Sequence, residues 1–130
     1  MFAPLPPETY RLFDDVQFAT IATIEPDGRP QLSVVWVARD GDDVLVSTVK
    51  GRRKYRNLEA DPRATVLVFD KADPYSYVEV RGTVSLVEAG GRELIDTLCE
   101  KYRGITPYPH DSPDAVRVVV RVTPDKVIAH

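Results

Sequence analysis

The sequence predicts a mainly β protein with peripheral helices, in which six antiparallel strands close into a barrel. Two observations support this prediction. Apolar segments of strand length follow one another through short turns rich in Asp, Gly and Pro. Two segments with helical spacing interrupt the series, one after the third strand and one before the last. Strands joined mostly by hairpins, with helices covering the gaps, are typical of antiparallel barrels.

The first half of the chain predicts a short helix and three strands. Two prolines, Pro6 and Pro7, precede a helical segment at residues 8–13. Residues 18–24 have strand composition, and the turn at 26–30 leads to a second strand at 31–39. Along that strand two sets of side chains alternate between its faces: Leu32, Val34, Trp36 and Ala38 against Gln31, Ser33, Val35 and Val37. A turn at 40–42 then enters the third strand, 44–47.

The second half predicts three more strands and the longest helix. Residues 64–69 are apolar on both faces, and residues 77–87 alternate cleanly around Gly82, which marks a bulge or bend. Helical spacing of apolar side chains covers 91–103. A loop with three prolines, 104–113, precedes a valine-rich strand at 115–122, which residues 127–129 extend. In this last strand Arg117, Val119 and Arg121 are predicted to lie opposite the other valines.

Length and composition indicate an ordinary globular protein. With 130 residues and a net charge of −3, we expect a single domain over 1–130. No apolar run approaches the roughly 20 residues of a membrane span, and the start lacks the pattern of a signal peptide. The lone cysteine, Cys99, lies in a helical pattern and is predicted to pack in the core. A single cysteine fits a reducing compartment, so the expected location is the cytoplasm.

The chemistry is concentrated between Ser47 and Leu58. Five cations lie between Lys50 and Arg56, where a helix is predicted to begin at about Gly51 and to end at Asp61-Pro62. Cations in the first turn of a helix face the positive end of its dipole, which is locally unfavourable. Free N–H groups at a helix start, together with nearby hydroxyl and cationic groups, form a phosphate site. The stretch therefore predicts bound phosphate.

Other interpretations of these residues stay open at this point. The charges could form a solvated helix face, or contact nucleic-acid phosphates, although the remainder of the chain is acidic and carries no reader motif. Two histidines and no carboxylate cluster at ligand spacing argue against a metal site. No serine lies in a nucleophile motif, so hydrolase chemistry is poorly supported.

Three segments resemble one family. They are Ala22-Thr23-Ile24-Glu25-Pro26-Asp27-Gly28-Arg29-Pro30-Gln31-Leu32-Ser33, then Arg52-x-Lys54-x-x-Asn57-Leu58-x-x-Asp61-Pro62-Arg63, then Val80-x-Gly82-Thr83-Val84. Their order and spacing, from about Phe18 to Val122, are similar to the split β-barrel flavin and deazaflavin oxidoreductases, the pyridoxamine-phosphate-oxidase-like proteins. The ending, residues 102–109 followed by a valine-rich strand, resembles the branch that uses coenzyme F420.

The resemblance implies a homodimer with two cofactor sites between its subunits. It assigns the cofactor phosphate to Arg52 and Lys54, hydroxyl or backbone contacts to Ser47 and Thr48, and the acidic tail to Lys50. Gln31 and Ser33 match positions beside the cofactor ring, and Tyr75 and Tyr77 match an aromatic segment near it. The implied fold is that of the flavin-mononucleotide (FMN)-binding split barrels.

The implied activity is F420-dependent hydride transfer, at C5 of the deazaflavin, to a small conjugated or heterocyclic substrate. No catalytic side chain is assigned, and the proton donor could be water, Tyr75 or Tyr108. Two alternatives are an FMN-dependent enzyme of the same fold and a carrier that binds the cofactor without turnover. The carboxy-terminal Trp/Arg segment with which vitamin B6 phosphate oxidases hold substrate is missing, which argues against that reaction. Neither nucleic acid nor a membrane is an expected partner.

Overall fold

The computed structural model describes residues 2–130, which form seven strands and three α-helices. A single 3-10 turn, Pro7–Thr9, precedes the first helix. The helices are α1 (Tyr10–Asp14), α2 (Arg53–Ala60) and α3 (Gly91–Arg103). The strands are β1 (Ala19–Ile24), β2 (Pro30–Val35), β3 (Ala38–Asp40), β4 (Asp43–Val49), β5 (Arg63–Asp70), β6 (Asp73–Val87) and β7 (Arg117–Ala129).

All seven strands belong to one antiparallel sheet, in the order β2-β1-β5-β6-β7-β4-β3. The prediction of an antiparallel, mainly β fold with peripheral helices is confirmed. The prediction of six strands in a closed barrel is wrong, since the segment predicted as one strand over 31–39 contributes β2 to one edge of the sheet and β3 to the other. Only Trp36 and Val37 lie between these two strands, and the two edges are not hydrogen-bonded to each other.

The core lies on the concave side of the sheet and consists mainly of valines. Alternate residues of β4 to β7 are fully buried there and pack against Leu12 and Phe13 of α1. β-branched side chains favour the extended backbone and fill the pleated surface well. Burial of each such side chain contributes roughly 1.5–3 kcal/mol. This alternation explains why β5 and β6 were predicted to within a few residues.

Helix α3 covers the sheet beside β7 and has the bounds predicted from its apolar spacing. Its first residue, Gly91, touches β7 so closely that a Cβ there would lie 2.0 Å from the carbonyl oxygen of Arg117. A bulkier residue would displace the helix. Because α3 covers this side of β7, Arg117 and Val119, which were predicted to lie opposite the other valines, are buried as well.

The convex face of β2, β1 and β5 is unusually apolar. Leu32 and Val34 of β2 are 61% and 71% exposed, and Leu67 and Phe69 of β5 are also exposed. Strand pairing puts these side chains on one face of the sheet, where Thr20 and Ala22 of β1 lie between the residues of β2 and those of β5, and Phe18 precedes β1 on the same face. Together these five residues form what we call the convex apolar face. Large exposed apolar patches mark interaction sites.

Candidate functional site

A cavity of about 280 Å³ lies near the link between the two sheet edges. One wall is apolar and the opposite wall carries cations and polar groups. The apolar wall includes Phe18, Val34, Trp36, Ile95 and Leu98. The polar wall includes Ser47, Arg52, Lys54, Tyr108 and Arg117. A recess with few, convergent polar groups and an apolar remainder is typical of a small-molecule site.

The basic stretch reaches this cavity from the turn before α2, which holds Arg52, and from the first turn of that helix, which holds Lys54. Helix α2 begins at Arg53, two residues later than predicted, because Gly51 adopts a left-handed conformation (φ +93°) and Arg52 is extended at the N-cap position. Ser47 and Thr48 belong to β4 and not to the connecting loop. The turn therefore brings Arg52 and Lys54 to the end of β4, beside Ser47.

The five cations of the stretch divide into two sets. Lys50 pairs with Glu88 at 3.0 Å and Arg53 pairs with Glu25 at 2.8 Å. Within residues 2–130, the side chains of Arg52, Lys54 and Arg56 have no hydrogen-bond or ion-pair partner. Of these three, only Arg52 and Lys54 line the cavity. Two adjacent unpaired cations at a recess make it a candidate site for an anion.

Lys54 is the more constrained of the two. Burial lowers the pKa of its ammonium group, and the neighbouring charge of Arg52 lowers that pKa further. Both effects make the charged form of Lys54 less stable when no ligand is present. An anion bound between the two side chains would stabilise both positive charges. This pair is therefore the strongest indication of a ligand site in the described residues.

Four predicted polar residues lie close to these cations or on the same side of the sheet. A recess of about 340 Å³ is lined by Gln31, Ser47, Thr48, Arg52, Arg53 and Lys54. Thr23 donates to the Gln31 Oε1 at 3.4 Å and accepts from the Asn57 amide at 3.1 Å, so Gln31 is connected to α2. Ser33, two residues along β2, has a buried hydroxyl without a hydrogen-bond partner. Such an orphan polar group in a native protein calls for an explanation.

The structure does not bring the other three predicted residues to this cavity. The ammonium group of Lys50 pairs with Glu88, and Lys50 lines a separate recess together with Arg52, Asp111 and Asp114. Tyr75 is 86% exposed at the start of β6. Tyr77 lies opposite Phe69, and its ring packs on His130 with centroids 4.7 Å apart.

Sequence reasoning gave no site role to Trp36 or Arg117, and it named Tyr108 only as a possible proton donor. Trp36 was assigned to a strand face, yet it stacks on Tyr102 of α3 with ring centroids 5.4 Å apart and planes 9° apart. Tyr108 meets Trp36 edge to face at 6.2 Å. Arg117 stands among valines, and that isolated charge in an apolar strand was a signal for a built polar site.

Three further observations concern the described residues as a whole. Residues 2–130 contain no group of three or more His, Cys, Asp or Glu side chains placed to hold a metal ion. Cys99 is free and buried, as predicted for a packing residue. None of the helices in the described part of the chain combines the length and the apolar character needed to cross a bilayer.

Comparisons with known proteins bear on the family and the fold of the chain. The sequence profile of pyridoxamine 5'-phosphate oxidase matches residues 5–130. A solved structure described as an F420 reductase is 32% identical over 95% of this chain and 98% of that chain, with a TM-score of 0.84. A conserved hypothetical protein of Mycobacterium tuberculosis is 26% identical over 97% and 84% of the two chains, with a TM-score of 0.77. General Stress Protein 26 of Bacillus anthracis, at 20% identity and TM-score 0.70, shares the fold.

Proposed function

The chain belongs to the pyridoxamine 5'-phosphate oxidase family, and from this premise we propose that it is an oxidoreductase that uses coenzyme F420. Its substrate would be a small conjugated or heterocyclic molecule that accepts hydride. Family membership and the likeness to an F420 reductase support an oxidoreductase with a flavin-like cofactor. The identity of the cofactor as a deazaflavin and the class of the substrate go beyond that support and are our proposal.

The observation that carries the proposal is the unpaired pair Arg52 and Lys54 at the mouth of the cavity. In our proposal these two cations hold the cofactor phosphate, and the hydroxyl of Ser47 donates to it beside them. Charge-assisted hydrogen bonds of this kind contribute roughly 1.5–3 kcal/mol each. Thr48 is 2% exposed and shapes the floor of the same recess. Lys50, farther out, would meet the acidic tail once released from Glu88.

The buried end of the site fits a planar ring. Gln31 lines the recess beside the two cations, and in our proposal the orphan hydroxyl of Ser33, on the same face of β2, gains a partner from a ring heteroatom. Phe18 and Trp36 supply apolar surface that excludes water. When bound, a deazaflavin supplies hydride transfer at C5 of its ring. The chain itself then has to align the ring with the substrate and to exclude water from both.

The convex apolar face supports a homodimer. Phe18 and Val34 belong both to this face and to the cavity wall, so a second copy seated on the face would close the cavity. In this arrangement Tyr75 and Tyr77, which do not reach their own cavity, would serve the cavity of the partner copy. A site closed by two subunits would bury a long cofactor better than one shallow recess.

FMN is the second candidate, because the same two cations would hold its phosphate. A carrier without turnover would use the same contacts, and steady-state reduction of any acceptor would exclude it. Nucleic acid is a weaker candidate, since the ion pairs of Lys50 and Arg53 neutralise two of the five cations. Nucleic-acid binding would also weaken steeply with salt.

The test is a fluorescence titration of the purified chain with coenzyme F420 and, separately, with FMN, at low and moderate salt. We expect selective binding of F420, and clear loss of affinity in Arg52→Ala and Lys54→Ala. The matched control is Arg56→Ala, which removes an unpaired cation of the same helix that does not line the cavity. Selective FMN binding would move the protein to the flavin enzymes. Unchanged affinity in both cavity variants would refute the phosphate site.

A further inference from the structure

An arginine deep in the polar wall of the cavity is held by a buried carboxylate. The side chains of Arg117 and Asp111 are only 5% and 7% exposed. Arg117 Nε and Nη2 donate to the two oxygens of Asp111 at 2.8 and 2.7 Å, a bidentate pair. This geometry neutralises Arg117, so the arginine is less suited than Arg52 or Lys54 to bind an anion. The groups that Arg117 contacts in the cavity wall therefore indicate its role.

Arg117 holds two groups of the cavity wall. Its Nη1 donates to the hydroxyl of Ser47 at 3.3 Å. Its guanidinium carbon lies 4.9 Å from the centre of the Tyr108 ring, within range of a cation–π contact. The arginine thus connects a polar group predicted to bind the phosphate with an aromatic ring of the 104–113 loop.

The backbone of Tyr108 is fixed independently by α3. Asp96 accepts from its N–H at 2.9 Å, and Arg92 donates to its carbonyl at 2.8 Å. Arg92 also pairs with Asp111 at 2.9 Å, so the loop is attached to α3 and β7 through one network. Fully satisfied polar networks of this kind fix a single conformation. Without them a loop with three prolines and few hydrogen bonds of its own would not hold a ring in place.

We propose that Arg117, paired with Asp111, is a positioning residue that holds the ring of Tyr108 edge to face with Trp36. The two rings then form an aromatic wall that selects ligands with a planar ring. The proposal rests on the proposed function, because the selected ligand is the ring of the cofactor. It assigns recognition of the ring to Tyr108 and recognition of the phosphate to Arg52 and Lys54. The two ends of the ligand should therefore respond to different substitutions.

The experiment compares wild type, Asp111→Asn, Tyr108→Leu and the double variant, using the full chain. The probes are the deazaflavin riboside, which carries the ring without a phosphate, and inorganic phosphate as its counterpart. We expect each single variant to weaken riboside binding by about tenfold, the equivalent of one aromatic contact, and neither variant to weaken phosphate binding. Because Asp111 acts through Tyr108, the double variant should bind the riboside no more weakly than Tyr108→Leu alone.

The free protein supplies a second readout. Trp36 is the only tryptophan in the chain, so acrylamide quenching of its fluorescence reports how well Tyr108 covers it. Quenching should rise in Asp111→Asn. It should stay unchanged in Asp43→Asn, which alters the partner of another β7 arginine, Arg121. Thermal melts of each variant identify any that fail to fold.

The outcomes separate this inference from the proposed function. If wild type binds no riboside, ring selection fails, whereas the F420 titration decides the proposed function separately and quenching still decides whether the network positions Tyr108. If wild type binds the riboside but Asp111→Asn binds it equally, or if the two substitutions are additive, the positioning role is wrong. Unchanged quenching in a folded Asp111→Asn protein would also overturn it.

Discussion

The hydroxyl of Tyr102 accepts a hydrogen bond of 3.2 Å from the backbone N–H of Val37, in the link between the two edges of the sheet. The same hydroxyl donates to the carbonyl of Gln17, and Lys101 donates to the carbonyl of Val37 at 2.7 Å. Val37 is completely buried. Helix α3 therefore supplies the hydrogen bonds that a neighbouring strand would supply in a closed barrel.

Replacement of Tyr102 by phenylalanine should destabilise the protein. The stack on Trp36 would remain, but the buried N–H of Val37 would lose its partner, at a cost of about 1–3 kcal/mol in the free energy of unfolding. Urea denaturation measures this change. The matched control is Tyr75→Phe, whose ring is 86% exposed and should leave stability unchanged. Equal midpoints for the two variants would show that the Tyr102 hydroxyl contributes little.

Replacement of Gly91 by alanine should displace α3 from β7. The new Cβ would lie 2.0 Å from a backbone oxygen and 2.5 Å from the carbonyl carbon of Arg117, and neither atom can move aside cheaply. We expect a loss of about 1–3 kcal/mol, as for other overpacked sites, and a lower midpoint of thermal unfolding. Thr97→Ala, on the exposed side of the same helix, should have little effect. A stable Gly91→Ala protein would mean that α3 is not seated as described.

The pH dependence of cofactor binding should reveal Lys54. Its pKa is lowered in the free protein, and a bound phosphate favours the protonated form, so affinity should fall as pH rises through that lowered pKa. The expected slope approaches about tenfold per pH unit. In the free protein the sign is opposite: the unfolded chain binds the proton more tightly, so stability rises with pH over this range.

Titrations with F420 across neutral and alkaline pH measure the effect. Lys54→Arg is the control, since its guanidinium stays charged and any remaining slope then belongs to the ligand. A wild-type slope identical to that of Lys54→Arg would show that the lysine does not titrate against the phosphate.

Introduction of a charge on the convex apolar face should prevent self-association. Val34 is 71% exposed in one subunit, so Val34→Lys should leave the fold of the subunit intact. In a dimer closed over this face the lysine would be buried without a partner, which is costly. Sedimentation analysis should find a dimer for wild type and for Thr97→Lys, and a monomer for Val34→Lys. F420 binding should weaken together with the loss of the dimer.

The sequence predicted best what depends on local periodicity. The bounds of α3 agree because Leu94, Ile95 and Leu98 repeat at helical spacing over a segment without prolines. The bulge expected at Gly82 is present as a register shift in the pairing with β7. A Cβ at Gly82 would lie 2.4 Å from the carbonyl oxygen of Thr123, which explains the glycine.

What it could not predict depends on contacts between distant segments. Alternation continues from Gln31 to Ala38 although the chain leaves one sheet edge and joins the other at Trp36, since no local signal marks that change. The basic stretch identified Arg52 and Lys54 because their charges are adjacent in sequence. Arg117 and Asp111 are recognisable as a pair only when the final strand, the loop and α3 are packed together.

The place of β7 in the sheet has a consequence for synthesis of the protein. Strands β3 and β4 are hydrogen-bonded to the rest of the sheet only through β7, although 67 residues separate Val49 of β4 from its partner Arg117, as their numbers show. While a ribosome is still adding residues before 117, β4 can pair with β3 but not yet with β7. Pairings this distant in sequence form slowly. The cavity is thus among the last features to form. A chain truncated before β7 would lack the strand that holds β4 beside the rest of the sheet.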